Sequence, residues 1–549
     1  MTNKEIAQSF QLLGQLMHLH NENKFKIRSY ESAYRKLRSW EEPLAAMPDE
    51  QIAAIQGVGK AIHGKIRELL DNGKMNTLER YKSQTPTGIQ EMLQIKGFGP
   101  KKIQTIWKDL GVESVGELLY AVNENRLVEL KGFGAKTQED LRQKLEYYQQ
   151  SRNQYHYAKL EQPALELLKE LQVLFPTAKI EWTSELRRKM PVLTHIEILI
   201  GSEEDVKSIL IKKFKVESIE DTCVNILYSE QNIPTKLYLC DKAKYGLLQL
   251  KVTGNSEFVN SLNLDSIEDK HLNEETQIFS KLELPFVFPE LREYANTPQL
   301  GLPQLIQDSD LKGVLHIHTT ASDGAHTLRD MCTYAQSLGY EYIGITDHSK
   351  SAFYASGLKV NELEEQWNAI DELNQELAPF KIFKGIESDI LTDGSLDYEE
   401  AVLKQFDFII ASVHSNLKMD EEKATKRLIN AIENPYTTIL GHPTGRLLLS
   451  RKGYPIQHKK VIDACAANNV HIELNANPYR LDLDWIWIPY ALEKGVNIAI
   501  NPDAHSKQGI HDMHFGVVAA RKGGLTKETC LNALSLEDFE KVIDKSRDK

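Results

Sequence analysis

The sequence predicts a multidomain protein of the α+β and α/β classes, with a helical N-terminal third, a mixed middle and a C-terminal β/α barrel. At 549 residues the chain is too long for a single hydrophobic core. Over about the last 240 residues, short runs rich in Ile and Val alternate with helical patterns, which is typical of parallel strands joined by helices. Three related glycine turns also recur in the first 150 residues, each between helical patterns.

The N-terminal third repeats one short motif three times, as IQGVGKAIHGKI, IKGFGPKKIQTI and LKGFGAKTQEDL. Each copy has an apolar helix end, a GxG turn and a second helix with lysine near its start. Glycine exposes backbone N–H groups and the helix N-terminus adds partial positive charge, so each turn can hold a phosphate. The copies resemble helix-hairpin-helix motifs, which grip the DNA backbone without reading sequence; a plain helical repeat is the alternative. The predicted DNA-binding residues are Gly57, Gly59, Lys60, Gly97, Gly99, Lys101, Lys102, Gly132, Gly134 and Lys136.

Histidines and acidic residues follow the apolar runs of the C-terminal part, as in GVLHIHTT and YIGITDHS. In a β/α barrel the carboxyl ends of the strands meet at one mouth, so residues scattered along the chain would converge there. Imidazole and carboxylate suit Zn²⁺, Mn²⁺ or Fe²⁺, and nine ligands are enough for two or three ions. The candidate metal ligands are His316, His318, Asp323, His348, Glu387, His414, His442, Asp503 and His505.

These nine residues resemble, motif by motif, the ligand set of the PHP (polymerase and histidinol phosphatase) domain family. The resemblance implies a trinuclear metal phosphoesterase on a distorted seven-stranded (β/α)7 barrel, with Mn²⁺ as the expected metal and Zn²⁺ or Fe²⁺ as alternatives. Arg446, Arg480 and Lys350 lie close in sequence to ligands or strand ends and are candidate phosphate-binding residues, although each alone is more typical of a surface cation. The expected catalytic residues are His316, His318, Glu387, His414, Asp503 and His505.

The middle segment TSELRRKMPVLTHIEILI resembles the palm motif of the bacterial family X DNA polymerases, and the order of domains matches that family along essentially the whole chain. Where the family has its metal-binding aspartate pair, this chain has His195 and Glu197, and Lys236 stands at the third aspartate position. One carboxylate beside a competing cation suits Mg²⁺ poorly. We therefore expect polymerase activity to be absent or very weak, unless a shifted register puts Asp241 in place of Lys236.

The same family has a lyase activity in which a lysine forms a Schiff base with an abasic sugar phosphate. Lys65 matches the position of that nucleophile. Lysines are common on helices, so an ordinary surface lysine is the alternative.

The resemblance also divides the chain into six segments. They are an N-terminal helical, lyase-like DNA-binding domain with a helix-hairpin-helix (1–88), a fingers-like domain with two such motifs (89–150), a degenerate nucleotidyltransferase palm (151–256), a thumb-like segment (257–297), a linker (298–308) and the PHP domain (309–549).

Charge and composition indicate how the protein can contact DNA and in which cellular compartment it works. The net charge is −12, whereas the first 150 residues hold 22 basic and 19 acidic residues, so contact with DNA is expected to be local. Five cysteines without a CxxC pair indicate a reducing compartment. There is no signal-like N-terminus and no apolar run long enough for a membrane span, so we expect a cytoplasmic protein without a membrane partner.

Together the ligands and the glycine turns predict a metal-dependent DNA phosphodiesterase, and the resemblance to the polymerase family implies a role in DNA repair. The family resemblance adds the direction, a 3′→5′ exonuclease at gapped, nicked or frayed 3′ ends. Three alternatives stay open: an active gap-filling DNA polymerase, a PHP small-molecule phosphatase and a non-enzymatic DNA-binding scaffold.

Overall fold

The structure is a computed structural model of the chain. It describes residues 1–95, 97–123, 127, 130, 133–150, 154–267, 271–295, 304–449 and 452–547. The chain divides into two compact units, Met1–Arg152 and Asn153–Lys549. The finer domain boundaries remain a prediction, and most of the predicted linker lies outside the described residues. Among the described helices, none combines the length and the apolar character needed to cross a bilayer.

The first unit is helical, as predicted, and its amphipathic helices bury their apolar faces in one shared core. Phe10, Leu13 and Leu16 of the first helix are fully buried there. Thr2 and Glu5 form a capping box that satisfies the free N–H groups at the start of that helix. The described helices are α1 (Asn3–Leu19), α2 (Lys24–Arg38), α3 (Asp49–Ala54), α4 (Lys60–Asn72), α5 (Asn76–Gln84), α6 (Thr87–Met92), α7 (Pro100–Leu110), α8 (Val115–Asn123) and α9 (Ala135–Gln150).

The second unit begins with a mixed α/β region, the predicted palm. Its five-stranded sheet has the order β2-β4-β7-β6-β5, and the inner strand β4 is buried along its whole length. The short strands β1 and β3 form a separate antiparallel pair. The elements are β1 (Tyr155–His156), α10 (Tyr157–Leu174), β2 (Lys179–Trp182), α11 (Ser184–Arg187), β3 (Val192–Leu193), β4 (Ile196–Gly201), α12 (Val206–Lys213), β5 (Lys215–Ile219), β6 (Cys223–Tyr228), β7 (Ile233–Cys240) and α13 (Tyr245–Thr253).

The predicted thumb-like segment contains two short helices, α14 (Ser256–Ser261) and α15 (Glu275–Lys281). They surround a small apolar core of their own that includes Phe258, Ile278 and Phe279. This core is separate from those of the palm and of the barrel.

The last part of the chain is the predicted barrel, in which seven parallel strands have the order β8 to β14. A parallel bridge between Ile317 and Ala504 joins the first strand to the segment after the last one, so the barrel is nearly closed. Its strands are apolar on both faces because helices cover the outside. The elements are β8 (Gly313–Ile317), α16 (Leu328–Ser337), β9 (Tyr342–Ile345), α17 (Val360–Leu377), β10 (Lys381–Asp389), α18 (Glu400–Leu403), β11 (Phe408–Ser412), α19 (Glu421–Ile432), β12 (Ile439–Leu440), α20 (His458–Ala467), β13 (His471–Asn475), α21 (Ile488–Glu493), β14 (Ile498–Asn501), α22 (Met513–Lys522) and α23 (Leu536–Arg547).

A buried ion network joins the palm, the thumb-like segment and α22. The Arg188 guanidinium donates to the Glu293 carboxylate at 2.9 Å, and the Lys522 ammonium contacts the same carboxylate. Lys522 also donates to the Arg188 carbonyl at 3.1 Å. All three residues are buried, so each charge depends on the others for the interactions that water would otherwise provide.

A second ion contact between the palm and the barrel involves His514 of α22. Its imidazole lies 3.0 Å from Asp308 and 3.2 Å from Glu161 of α10. Hydrogen bonds with Asp308 and Glu161 raise the pKa of His514 to about 9. A raised folded-state pKa stabilises the fold fully below about pH 6.5, the unfolded value, and this contribution is lost as pH rises through about 9.

We therefore expect the stability difference between wild type and His514→Gln to be larger at pH 6 than at pH 9.5. Urea denaturation followed by circular dichroism at both pH values measures this difference. An equal difference at both pH values would show that the charge of His514 does not contribute to stability.

Candidate metal centre

All nine predicted ligands meet at the carboxyl-terminal mouth of the barrel. His316 lies on β8 and Glu387 on β10, while the other residues follow the ends of strands or lie in the loop after β8. Their donor atoms form four overlapping groups in which all atoms lie within 4.8 Å of one another. The groups are His318, Asp323, His348 and His505; His316, His318 and Asp503; His316, Glu387 and His442; and His348, Glu387 and His414.

The two histidines of the HIH run lie close together, with ring centroids 5.3 Å apart; His316 belongs to β8 and His318 follows its end. The strand is irregular at this point. Its pairing with β9 shifts between Val314 and Ile317, and His316 has a φ of 61°. This irregularity was not predicted from the sequence.

The donor atoms face a common space, since several of them lie close together without forming hydrogen bonds. His316 Nε2 is 3.2 Å from Glu387 Oε1, and His318 Nε2 is 3.1 Å from Asp503 Oδ1. Yet His316 Nε2 and both ring nitrogens of His318 have no hydrogen-bond partner among the described residues, although both side chains are fully buried. An unsatisfied buried polar group costs about 1–3 kcal/mol, and a bound cation would satisfy these nitrogens. The donor set therefore fits divalent metal ions.

Burial and neighbouring charges set the protonation states of two of these ligands, Glu387 and His318. Burial raises the pKa of Glu387, but the nearby His414, His316 and His348 hold it well below its usual range. Burial lowers the pKa of His318 to about 4, which leaves its imidazole neutral. An ionised carboxylate and a neutral imidazole are the forms that bind metals.

Three buried carboxylates that support the ligands were not predicted from the sequence. Glu473 of β13 accepts a hydrogen bond from His316 Nδ1 at 2.6 Å, and Asp389 of β10 contacts His414 Nδ1. Asp347, in the loop before His348, accepts from the backbone and hydroxyl of Thr319 at 2.8 Å. Glu473 and Asp389 fix the orientation and tautomer of an imidazole, whereas Asp347 holds the backbone next to His318. Their signal in the sequence is a carboxylate inside or next to an otherwise apolar run, as in HIELN.

The three candidate phosphate-binding residues have different surroundings. Arg480 donates to Asp503 Oδ2 at 3.2 Å and therefore lies at the metal cluster. The guanidinium of Arg446 is bound to Asp484 and to the carbonyls of residues 480 and 481. Lys350 is exposed, and its ammonium lies 5.3 Å from the centre of the Tyr398 ring. Among the three, Arg480 is the one in direct contact with a predicted ligand.

The glycine turns of the first unit have the predicted form where the structure describes them. Gly57 and Gly97 have φ values of 93° and 96°, a region that favours glycine. Gly59 and Gly99 cap the N-termini of α4 and α7, and their backbone carbonyls accept the first helical hydrogen bonds. The third predicted turn has Gly134 at the corresponding place before α9, while Gly132 lies outside the described residues.

The lysines after these turns leave positive charge at the helix starts. Lys60, Lys101 and Lys136 are exposed, and Lys102 is half-buried with its ammonium 5.9 Å from the centre of the Phe133 ring. The predicted lyase residue Lys65 is half-buried and donates to the Thr77 hydroxyl at 2.9 Å.

The predicted degenerate palm motif lies on and beside two adjacent strands, β4 and β7. Glu197 of β4 and Lys236 of β7 are directly paired in the parallel register, so Lys236 stands beside the one retained carboxylate. Glu197 accepts a hydrogen bond from the Tyr238 hydroxyl at 2.9 Å, and His195 Nε2 lies 3.3 Å from it. Asp241 follows the end of β7 and pairs with Lys244 at 3.1 Å.

The two arginines of the palm motif are bound to carboxylates of the protein itself. Arg187 donates to Glu275 at 2.8 Å and lies 3.5 Å from Glu181, while Arg188 belongs to the buried network with Glu293. Their charges are thus neutralised within the second unit.

Comparison with known families agrees with this architecture. Residues 1–75 match the helix-hairpin-helix domain family, 89–146 match the SAM-like helix-hairpin-helix tandem and 315–477 match the PHP domain family. The chain is 32% identical, over the full length of both proteins, to the DNA polymerase/3′-5′ exonuclease PolX of Bacillus subtilis. About 40% of the chain is 30% identical to a probable phosphatase of a Thermoanaerobacter species, covering 88% of that protein. A probable phosphatase of Caldicellulosiruptor saccharolyticus is 32% identical over 36% of the chain and 80% of its own length.

Proposed function

Since the chain belongs to the bacterial PolX family of DNA polymerase/3′-5′ exonucleases, we propose that its PHP domain is a metal-dependent 3′→5′ exonuclease. The proposed substrates are gapped, nicked or frayed 3′ ends of DNA, in the cytoplasm and in the context of repair. The convergence of nine donor residues in four overlapping groups supports the proposal most directly.

The nine residues would hold two or three divalent ions, with Mn²⁺ as the proposed metal and Zn²⁺ or Fe²⁺ as alternatives. Divalent ions at such a site stabilise the negative charge that develops on a phosphate in the transition state. The protein contributes the orientation of the ligands, because Glu473 and Asp389 fix the rings of His316 and His414. Arg480, beside Asp503, adds a cation that can neutralise a non-bridging phosphate oxygen.

We further propose that the palm is a scaffold with little or no polymerase activity. Pairing of Glu197 with Lys236 puts a cation beside the carboxylate that would have to bind Mg²⁺. The carboxylates bound to Arg187 and Arg188 compete with an incoming triphosphate for both guanidinium groups.

A gel assay with an end-labelled gapped duplex and Mn²⁺, with and without nucleotides, tests both proposals. We expect stepwise shortening from the 3′ end without extension, and loss of shortening in His316→Ala/His318→Ala. Extension with nucleotides would overturn the proposal for the palm. If the protein released phosphate from small esters but left DNA intact, a small-molecule phosphatase would replace the exonuclease as the proposed function.

We propose that the glycine turns of the first unit hold the DNA backbone through the exposed lysines beyond them. Removing one ionic interaction with a phosphate of duplex DNA reduces the slope of log K against log salt by about 0.9. We therefore expect Lys60→Ala to weaken binding and to reduce the slope by about that amount, as measured by fluorescence anisotropy between 50 and 200 mM salt.

The matched control is Lys74→Ala, because Lys74 is exposed just beyond the opposite end of α4. Equal slopes for wild type and Lys60→Ala would argue against a phosphate interaction at the first turn.

A further inference from the structure

A half-exposed aromatic residue precedes Arg480, which contacts the metal cluster. Tyr479 belongs to the loop that follows β13, and 48% of its surface is exposed. The next residue, Arg480, donates to Asp503 at 3.2 Å. The Tyr479 ring is therefore one residue away from a side chain that contacts a predicted metal ligand, and it is open to solvent.

This ring is held in place from two sides. The Tyr479 backbone N–H donates to Asn477 Oδ1 at 3.0 Å, and its carbonyl accepts from Leu448 N at 2.7 Å. The imidazole of His156 packs against the ring with centroids 4.6 Å apart and planes at 66°. These contacts fix the position of the ring, and a ring held in place loses little entropy on binding.

His156 lies on β1 of the predicted palm but contacts two loops of the barrel, one through Leu448 and the other through Tyr479. Its Nε2 is 3.1 Å from the Leu448 carbonyl, while its ring contacts Tyr479. Residues 448 and 479 are also joined by the backbone hydrogen bond between them. The palm therefore contributes directly to the position of Tyr479 at the mouth of the barrel.

We propose that Tyr479 is the platform on which the base at the 3′ end of a single strand stacks, and that His156 is the positioning residue for this platform. The inference rests on the proposed exonuclease function. An exonuclease that removes any nucleotide needs a contact that tolerates all four bases, and stacking on an aromatic ring provides one because every base has a π face. Arg480 beside the ring meets the negative charge of the same nucleotide.

Stacking is present in the ground state and in the transition state, so its loss raises KM more than it lowers kcat. We expect Tyr479→Ala to raise KM for a single-stranded 3′ end by roughly tenfold, within the range that base stacking on aromatic residues supports. Tyr479→Phe should keep a KM close to that of wild type because the stacking face is retained. His156→Ala should raise KM in the same direction by a smaller factor.

Binding can be measured without turnover by placing 2-aminopurine at the 3′ end and a phosphorothioate at the terminal linkage. In the full chain with Mn²⁺, stacking on Tyr479 should quench the fluorescence of 2-aminopurine. Quenching should be lost in Tyr479→Ala and kept in Tyr479→Phe. The matched control is Tyr294→Ala, because Tyr294 is 49% exposed but lies in the thumb-like segment, and we expect quenching to persist there.

The outcomes separate this inference from the proposed function. Suppose that wild type shortens DNA and that Tyr479→Ala has the KM and the quenching of wild type. The proposed stacking role of Tyr479 is then wrong, whereas the proposed exonuclease function is supported. If KM rises equally in Tyr479→Ala and Tyr479→Phe, the ring acts through something other than stacking and the inference fails. If wild type does not shorten DNA, the proposed function fails and the platform fails with it.

Discussion

Replacing Glu387 with glutamine should abolish the exonuclease activity, with a loss of at least about 10³-fold. Glu387 belongs to two of the four donor groups, one with His316 and His442 and one with His348 and His414. It is 1% exposed, so water cannot replace the lost charge. The amide of glutamine has nearly the same shape but carries no negative charge, and one substitution therefore weakens two metal positions at once.

Two measurements test this expectation. Mass spectrometry of the purified protein should find less bound metal in Glu387→Gln than in wild type, and the gel assay should find no shortening. Glu372→Gln, an exposed position on α17, is the matched control and should keep both properties. Full metal content together with full activity in Glu387→Gln would exclude the proposed ligand role of this carboxylate.

Replacing Glu293 with glutamine should destabilise the second unit by about 3–5 kcal/mol. The Glu293 carboxylate is the common partner of Arg188 and Lys522, and all three residues are buried. Burial already lowers the pKa of Lys522 to about 8, despite the opposing effect of Glu293. Without that carboxylate, two buried cations would remain close together and would lose the carboxylate that pairs directly with both.

The midpoint of urea denaturation, followed by circular dichroism, measures this effect. Glu365→Gln is the control because Glu365 is exposed on α17, and such surface substitutions change stability by no more than about 0.5 kcal/mol. In the double variant Glu293→Gln/Lys522→Met, one of the two cations left without their carboxylate, Lys522, is removed as well. We expect its destabilisation to be smaller than the sum of the two single effects. Additive effects would mean that Glu293 and Lys522 do not act as a pair.

The fold class and the convergence of the nine donors were predictable because both follow from local patterns. A short apolar run that ends in histidine or a carboxylate marks a barrel strand and its mouth, and the closed barrel brings the ends together. The glycine turns were predictable for the same reason, since a GxG turn with lysine just beyond it is visible within a dozen residues. Gly57 and Gly97 have the positive φ values that this pattern requires.

The contacts that cross between domains were not predictable from the sequence. Nothing near Arg188 indicates that its partner is Glu293 or that Lys522 shares it, because these pairings depend on how distant segments pack. The position of His156 against Tyr479 has the same origin. Glu473 gave a weak local signal, but its role depends on the distance to His316, which only the folded barrel sets.

The bridge between Ile317 and Ala504 has a consequence for biosynthesis. Asp503 and His505 flank the bridge, and they are the last of the nine donors to be translated. A chain still on the ribosome already carries its glycine turns and their lysines but holds an incomplete donor set. During synthesis the proposed DNA-binding turns are therefore complete before the proposed metal site, which is complete only when the segment after β14 pairs with β8.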